Sequence, residues 1–456
     1  MKQQFSKKKA IIWGFFILAA ILSLVIVQSQ KMSIHWVNEN LAGDISIRPI
    51  IEFQLNGSII PDQIESIWFT IPKAAGQWIW QDKQQALWMA DAPLKAGTGF
   101  QFGFDPDLAN EAVSGLAKQI SWFTTTREPS ILLLNPDDQT SIISLLNPEN
   151  PDVENKIADV PGEILDISPA ADGEWIFFTL RNKSEGANIR RISRSGNENE
   201  LMVDCGNSTC ILPDQPQNRG DIYFLMSEAT SGKEAIFPEE GVYRIDLLTS
   251  DIDLLKATNP NEAVDFSVSP DGRWLSIYFG DETGIELRDM LSNAMISLTD
   301  ASGSAGSWAP ESNAFYYQRT IRENVFLRYQ IIKIDLAIGQ SAVAERKISD
   351  FRDYHYFNPA ANPVNDQIAA TVQSNLNLPG RELWIISPDG DVMEKISTDM
   401  TRIITGYEWS PDGERLLFRF LNFPPEEGIA FFGIWNAENG TQILEVNNKS
   451  KAVWLP

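Results

Sequence analysis

From residue 44 onward, apolar and polar residues alternate with a period of two in runs of about 4 to 8, each closed by Gly, Pro, Asn or Asp. That period puts one face of each run against a core and the other toward water, so it predicts strands joined by tight turns and an all-β chain. ISIRPIIEFQLNGSI, SIWFTI, GQWIWQ, ALWMA, GTGFQFGF and ISWFTTT follow one another in this way. Their spacing of roughly 8 to 12 positions predicts a β-sandwich over residues 44–127. No strong helical period intervenes, although LANEAVSGLAKQI has room for a turn or two.

The opening of the chain breaks the alternation. Residues 10 to 27, AIIWGFFILAAILSLVIV, carry no charge and are preceded by Lys2, Lys7, Lys8 and Lys9. A run of that length matches one transmembrane helix, taken as 10–28, and the basic flank predicts a cytoplasmic tail at 1–9 with the bulk of the chain extracytoplasmic. The rival reading is a cleaved signal peptide; it fits less well, because the following QSQKMS has no small-residue cleavage site. Residues 29–43 are then a linker.

From residue 130 the chain repeats itself. A strand, a small residue, Pro, a polar turn and a second strand recur as ISPAADGEWIFFTL, ILPDQPQNRGDIYFL, VSPDGRWLSIYF, WAPESNAFYYQ, FNPAANPVNDQIAATV, WSPDGERLLFRF and VWLP. Their prolines are Pro169, Pro213, Pro270, Pro310, Pro359, Pro411 and Pro456, standing about 40 to 57 residues apart, the length of a four-stranded propeller blade with variable loops. Between them lie second hairpins such as GIELRDMLSNAMISL and ELWIISPDGDVMEKIS. The pattern predicts a β-propeller over 130–456 with seven blades, six or eight being the neighbouring counts.

Residues 131 to 146, ILLLNPDDQTSIISLL, are a hairpin without an inner strand, and AVWLP at the end is an inner strand without a hairpin. Pairing the two closes the ring and removes exposed edges, a physical reason for the chain to stop at Pro456. In the Ser-Pro-Asp-Gly phrases, Pro270 and Pro411 end one strand, while Asp271-Gly272 and Asp412-Gly413 turn the chain into the next, Gly accepting a positive φ without steric cost. A turn repeated in blade after blade is a structural feature, and these carboxylates are read as turn formers rather than metal ligands.

Two resemblances rest on these residues. Arg48-Pro49-Ile50-Ile51-Glu52-Phe53, Gly76-Gln77-Trp78-Ile79-Trp80, Leu87-Trp88, Pro93-Leu94 with Gly97-Thr98, and Trp122-Phe123-Thr124-Thr125 resemble, in that order, the bacterial Ig-like domain of surface proteins. This implies a spacer or adhesive module without catalytic residues. Trp409-Ser410-Pro411-Asp412-Gly413 and Val268-Ser269-Pro270-Asp271-Gly272 resemble the TolB-type, WD40-like propeller repeat, with departures at Trp308-Ala309-Pro310-Glu311 and Phe357-Asn358-Pro359-Ala360 that keep the aromatic and the Pro but lose the turn Gly. The second resemblance implies a protein-binding or scaffold role in the bacterial envelope.

Composition narrows the chemistry. In 456 residues there are 14 Trp and 24 Phe but 2 His, which favours sheet packing over acid-base or metal work. The formal charge of -24 opposes binding to nucleic acid. Cys205 and Cys210, separated by Gly-Asn-Ser-Thr, are a candidate disulfide in an oxidising compartment. His35 and His355 lack metal-ligand spacing, and no G-x-S-x-G elbow is present. Asp105 with Asp107, Asp251 with Asp253, and Glu426 with Glu427 have the chemistry for calcium or glycoside hydrolysis but read more simply as solvated turns.

The expectation is therefore a membrane-anchored extracytoplasmic binding or scaffold protein with no cofactor, metal or catalytic residue assigned and a protein or envelope component as partner. The alternatives are a propeller enzyme acting on glycan or lactone with a channel-bound cation, or a purely structural envelope component. Binding is expected at the lengthened loops 181–187, 227–240 and 421–428, with Phe423 as a candidate anchor.

Overall fold

The computed structural model describes residues 33–37, 44–56, 60–108, 119–183, 186–216, 221–227, 239–247, 249–255, 262–280, 283–323, 326–336, 344–348, 354–424, 429–447 and 450–456. The apolar run 10–27 lies outside them, so the expected span is not among the elements described. Among the described residues no helix is long and apolar enough to cross a membrane. The chain divides into two units.

Among the described residues the first unit has seven strands, β1 (Ser33–Trp36), β2 (Ile50–Asn56), β3 (Trp68–Ile71), β4 (Gly76–Trp80), β5 (Gln85–Ala90), β6 (Gly99–Phe104) and β7 (Ile120–Thr125). They form a four-stranded sheet, β1-β2-β5-β4, and a three-stranded sheet, β3-β6-β7. Alternation sends Phe53 and Trp88 of the first sheet toward Trp68, Phe102 and Phe104 of the second. Trp68 meets Trp88 at 5.3 Å between ring centres, and Phe53 meets Phe104 at 5.2 Å edge to face, the spacings that aromatic quadrupoles prefer.

Two features depart from the sequence reading. Residues 33–36, expected within a linker, form β1 and pair antiparallel with β2; four residues are too few for a period to show. Pro61–Ile67 is a helix, α1, with Pro at its first turn and Ile64 and Ile67 buried.

The second unit is a ring of four-stranded antiparallel blades. Blade one holds Ser130–Asn135, Thr140–Asn147 and Asn150–Pro161 together with Lys451–Leu455 from the far end of the chain. Blade two is Ile164–Pro169, Trp175–Arg181, Ala187–Ser193 and Asn199–Val203, and blade three is Thr209–Asp214, Asp221–Ser227, Gly241–Asp246 and Ile252–Leu255. A single parallel bridge, Ala187 to Thr209, joins these two into one eight-stranded sheet. Blades four to seven begin with Asp265–Val268, Ala301–Trp308, His355–Ala361 and Arg402–Trp409, and each is a separate four-stranded sheet.

Seven blades result, and apolar packing closes them into a circle. One buried cluster lies between each neighbouring pair, from Leu132, Val160, Ile176 and Phe178 between blades one and two to Leu133, Leu417, Phe432 and Trp454 between blades seven and one. Each sheet is therefore covered on both faces, which explains near-continuous apolar runs such as Trp274–Tyr278, buried throughout. The first strands of successive blades touch one another around the ring, so they line its centre.

The seam follows the pairing expected from the sequence. Lys451 opposes Leu134 and Leu455 opposes Ser130, so the terminal strand supplies the inner strand of blade one. That blade's outer strand, Asn150–Pro161, has no counterpart in the sequence reading. It is polar and bulged between Asn150 and Glu154 and between Lys156 and Ala158, the irregularity that protects an exposed edge and hides a strand from period analysis.

Candidate functional site

Antiparallel order fixes which connections share a rim. The turns from first to second strand all lie at one end of the ring, and the loops from second to third strand lie at the other, together with the connections between blades. Pro270, Asp271, Gly272, Pro411, Asp412 and Gly413 belong to the first rim. Ser269 Oγ donates to Asp271 Oδ1 at 2.6 Å and accepts from Trp274 N at 2.8 Å, while Arg273 N donates to the same carboxylate at 3.0 Å. Ser410, Asp412 and Arg415 repeat the arrangement. Gly272 and Gly413 take φ of 66° and 72°. Both aspartates are thus occupied within their own turns.

The same bonds correct the repeat register in two blades. Ser269 N donates to Trp274 O, and the equivalents are Ala170 N to Trp175 O and Asn362 N to Gln367 O. The proline position is therefore Ala171 in blade two and Pro363 in blade six; Pro169 and Pro359 sit two and four residues upstream of it, inside their strands. In blade five Ser312, at φ 57°, takes the place of the turn glycine.

The loops 181–187, 227–240 and 421–428 all run from second to third strands and share the opposite rim; residues 184–185, 228–238 and 425–428 of them, including Glu426 and Glu427, lie outside the described residues. Phe423 is 49 % exposed there, and its N–H donates to Thr401 O at 2.7 Å. Cys205 and Cys210 are joined across a Cα separation of 6.3 Å in the connection between blades two and three, on this rim. Asn182 Nδ2 donates to Gly206 O at 2.6 Å, tying loop 181–187 to the bridged loop.

The described acidic pairs have local partners. Asp105 Oδ1 caps Asp107 N at 2.9 Å, and Asp253 pairs with Arg244 at 2.7 Å. His35 is exposed on β1. His355 is half-buried beside Tyr329 and Phe357, and its pKa is lowered by burial and by Arg328 and Arg381. In the first unit Trp88 is buried, while Trp78 and Trp80 stack at 6.1 Å between ring centres.

Sequence reasoning missed the carboxylates of the innermost strands. Asp265 accepts Ala305 N of blade five at 2.9 Å, Asp214 accepts Val268 N of blade four, and Glu408 accepts Trp454 N of blade one. Each acid clamps its strand to the next blade. Burial raises Asp214 to about 6 and Glu408 to about 7, and raises Asp265 as well. Lys451 Nζ lies 3.5 Å from Asp166 Oδ1. Among the described residues no group of three or more His, Cys, Asp or Glu is placed to hold a metal ion. The available signal was an acidic residue in the first strand of blades two, three, four and seven, Asp166, Asp214, Asp265 and Glu408.

Cavities among the described residues accompany this ring. One of about 500 Å³ opens at the seam between blades seven and one, lined by Thr405, Tyr407, Glu408, Arg419, Lys451 and Val453. Another, of about 520 Å³, lies on the turn rim over Trp409 and Trp435 among Glu149, Glu394, Glu414 and Glu438. Both have the size of small-ligand sites.

No sequence profile of a known protein family matches the chain, and no curated protein sequence matches it. Solved structures with a similar fold include TolB from Acinetobacter baumannii, at 10% identity over 86% of this chain and 83% of that one with a TM-score of 0.42. They also include a putative TolB from Agrobacterium tumefaciens (15% identity, 72% and 98% coverage, TM-score 0.40) and a putative 6-phosphogluconolactonase from Bacteroides uniformis (12% identity, 72% and 100% coverage, TM-score 0.46). The propeller assignment itself stands on the closed order of sheets.

Proposed function

We propose that this chain is a membrane-anchored, extracytoplasmic binding or scaffold protein of the bacterial envelope that uses its propeller for protein-protein interaction. The observation that carries the reading is the ring itself. Seven blades closed by strand exchange between distant parts of the chain make a rigid platform, and the second-to-third loops of every blade gather on one rim. A broad rim of loops on a rigid support suits recognition of a macromolecule. Residues 10–28 are the anchor and residues 1–9 its cytoplasmic flank. The sandwich that follows is an Ig-like spacer, and the Cys205–Cys210 bridge is in keeping with an oxidising compartment.

The test is affinity purification of tagged full-length protein from its native membranes, beside a version truncated after residue 127, with quantitative mass spectrometry. A partner recovered with the full chain and lost on truncation is the expected result. The same background from both would remove the protein-binding role. Recovery of the full chain in the soluble fraction after lysis would remove the anchor.

A further inference from the structure

Arg381 enters the third strand of blade six from the loop rim, and its guanidinium carbon lies 3.6 Å from the centre of the Phe357 ring. His355 and Phe357 stand on the first strand of the same blade. Tyr329, from the third strand of blade five (Phe326–Asp335), completes the group at 4.9 Å from Phe357 and 5.5 Å from His355 between ring centres. Arg328 is near enough to act on His355 electrostatically alongside Arg381.

In a chain of formal charge -24 this gathers two guanidiniums and an imidazole at one place. Among the described residues Arg381 makes no ion pair; its contacts are the Phe357 face and a backbone bond from its N–H to Arg402 O at 3.3 Å. A half-buried cation over an aromatic ring keeps part of its hydration cost uncompensated until an anion reaches it. Leu327, which precedes Arg328 in the chain, and Leu376 and Leu378, in the stretch that leads to Arg381, are 42, 58 and 41 % exposed. Cations flanked by exposed apolar side chains match an acidic segment that also carries apolar residues.

We propose that this patch, formed by Arg328, Tyr329, His355, Phe357 and Arg381, together with the exposed leucines close to Arg328 and Arg381 in the chain, binds a carboxylate of an acidic, apolar-flanked peptide segment of a protein partner. The inference rests on the binding-module reading above and deepens it. The carboxylate lies against Arg381, and the apolar neighbours of the acidic residue cover the leucines.

The probe is the peptide acetyl-Leu-Glu-Leu-Glu-Phe-Glu added to the full-length chain carrying ¹³C-labelled histidine. His35 and His355 are the chain's 2 histidines, so the first serves as an internal reference for the second. The peptide should shift the His355 signal and raise its titration midpoint, because an anion favours the imidazolium, while His35 stays unmoved. Arg381→Gln should weaken binding about tenfold, Arg381→Lys should restore part of it, and the peptide with Gln for Glu should not bind. Equal binding by the Gln peptide or by Arg381→Gln would overturn the proposal. Displacement by an equal concentration of inorganic phosphate would replace it with a general anion site. If Arg381→Gln still recovers its partner from membranes while the peptide never binds, this site falls and the binding-module reading stands. If the full chain and the truncated form recover the same proteins, that reading falls first.

Discussion

Trp454 stands directly opposite Ile131 in the antiparallel pair that closes the ring, and its indole N–H reaches Glu408 O of the preceding blade at 3.3 Å. One side chain therefore joins the terminal strand, the first blade and the last. Trp454 is 3 % exposed, so Trp454→Ala leaves a cavity at the seam and should cost about 3 to 5 kcal/mol. Denaturant unfolding of the purified protein measures it, and a loss below about 1 kcal/mol would mean that the seam does not limit stability.

The turn glycines allow a paired comparison. Gly413 and Gly440 share a φ of 72°, but a Cβ at Gly413 would collide with Asn362 Oδ1, whereas one at Gly440 meets open space. Gly440→Ala should therefore show the backbone strain alone, about 1 kcal/mol. Gly413→Ala should add about 1 to 3 kcal/mol of overpacking. Equal melting temperatures for the two variants would contradict this account of the turn.

Burial raises Glu408 to about 7, above its value in an unfolded chain. The folded state then holds a proton that the unfolded state releases, so this group's contribution is complete at low pH and is lost as pH rises toward and through about 7. Glu408→Gln keeps an acceptor for Trp454 N and removes the charge. Its melting temperature should fall less than that of the parent between about pH 5 and about pH 8. Parallel pH profiles would show that Glu408 is not desolvated.

Arg273 holds the fully buried Asp289 through Nε at 3.2 Å and Nη2 at 2.7 Å, and Asp289 also accepts Leu291 N. These bonds keep the carboxyl well below its ordinary range despite burial. Arg273→Met leaves the charge unpaired and should cost about 3 kcal/mol at neutral pH. A depressed carboxylate contributes stability above its unfolded pKa and loses it as pH falls through its folded value. The variant should thus lose less on acidification than the parent, and identical acid limbs in thermal melts would exclude the pair as their source.

Much of the architecture was legible along the chain because it is written in local chemistry. A period of two marks half-buried strands, Pro-Asp-Gly marks the turn that follows them, and their recurrence gave seven blades with the terminal strand as the missing inner strand of the first. Signals failed where local chemistry is degenerate. Pro169 and Pro359 carry the right residue at the wrong register, since only the bonds from Ala170 N and Asn362 N fix where the turn begins. The Ser33–Trp36 strand and the charged Asn150–Pro161 edge have too short or too polar a pattern to read.

By itself, then, the sequence determined the all-β class and the blade repeat, because each depends on residues adjacent in the chain, and the two incomplete end pieces pointed to their pairing; the order of sheets decided for seven blades over six or eight. Only tertiary structure decided which side chains converge. Asp265 meets Ala305, Glu408 meets Trp454, and Arg381 meets Phe357, contacts between positions 20 or more residues apart that follow from strand register and from one blade packing against the next. A period tells which face of a strand is buried; it does not tell what the neighbouring strand or blade will place against it.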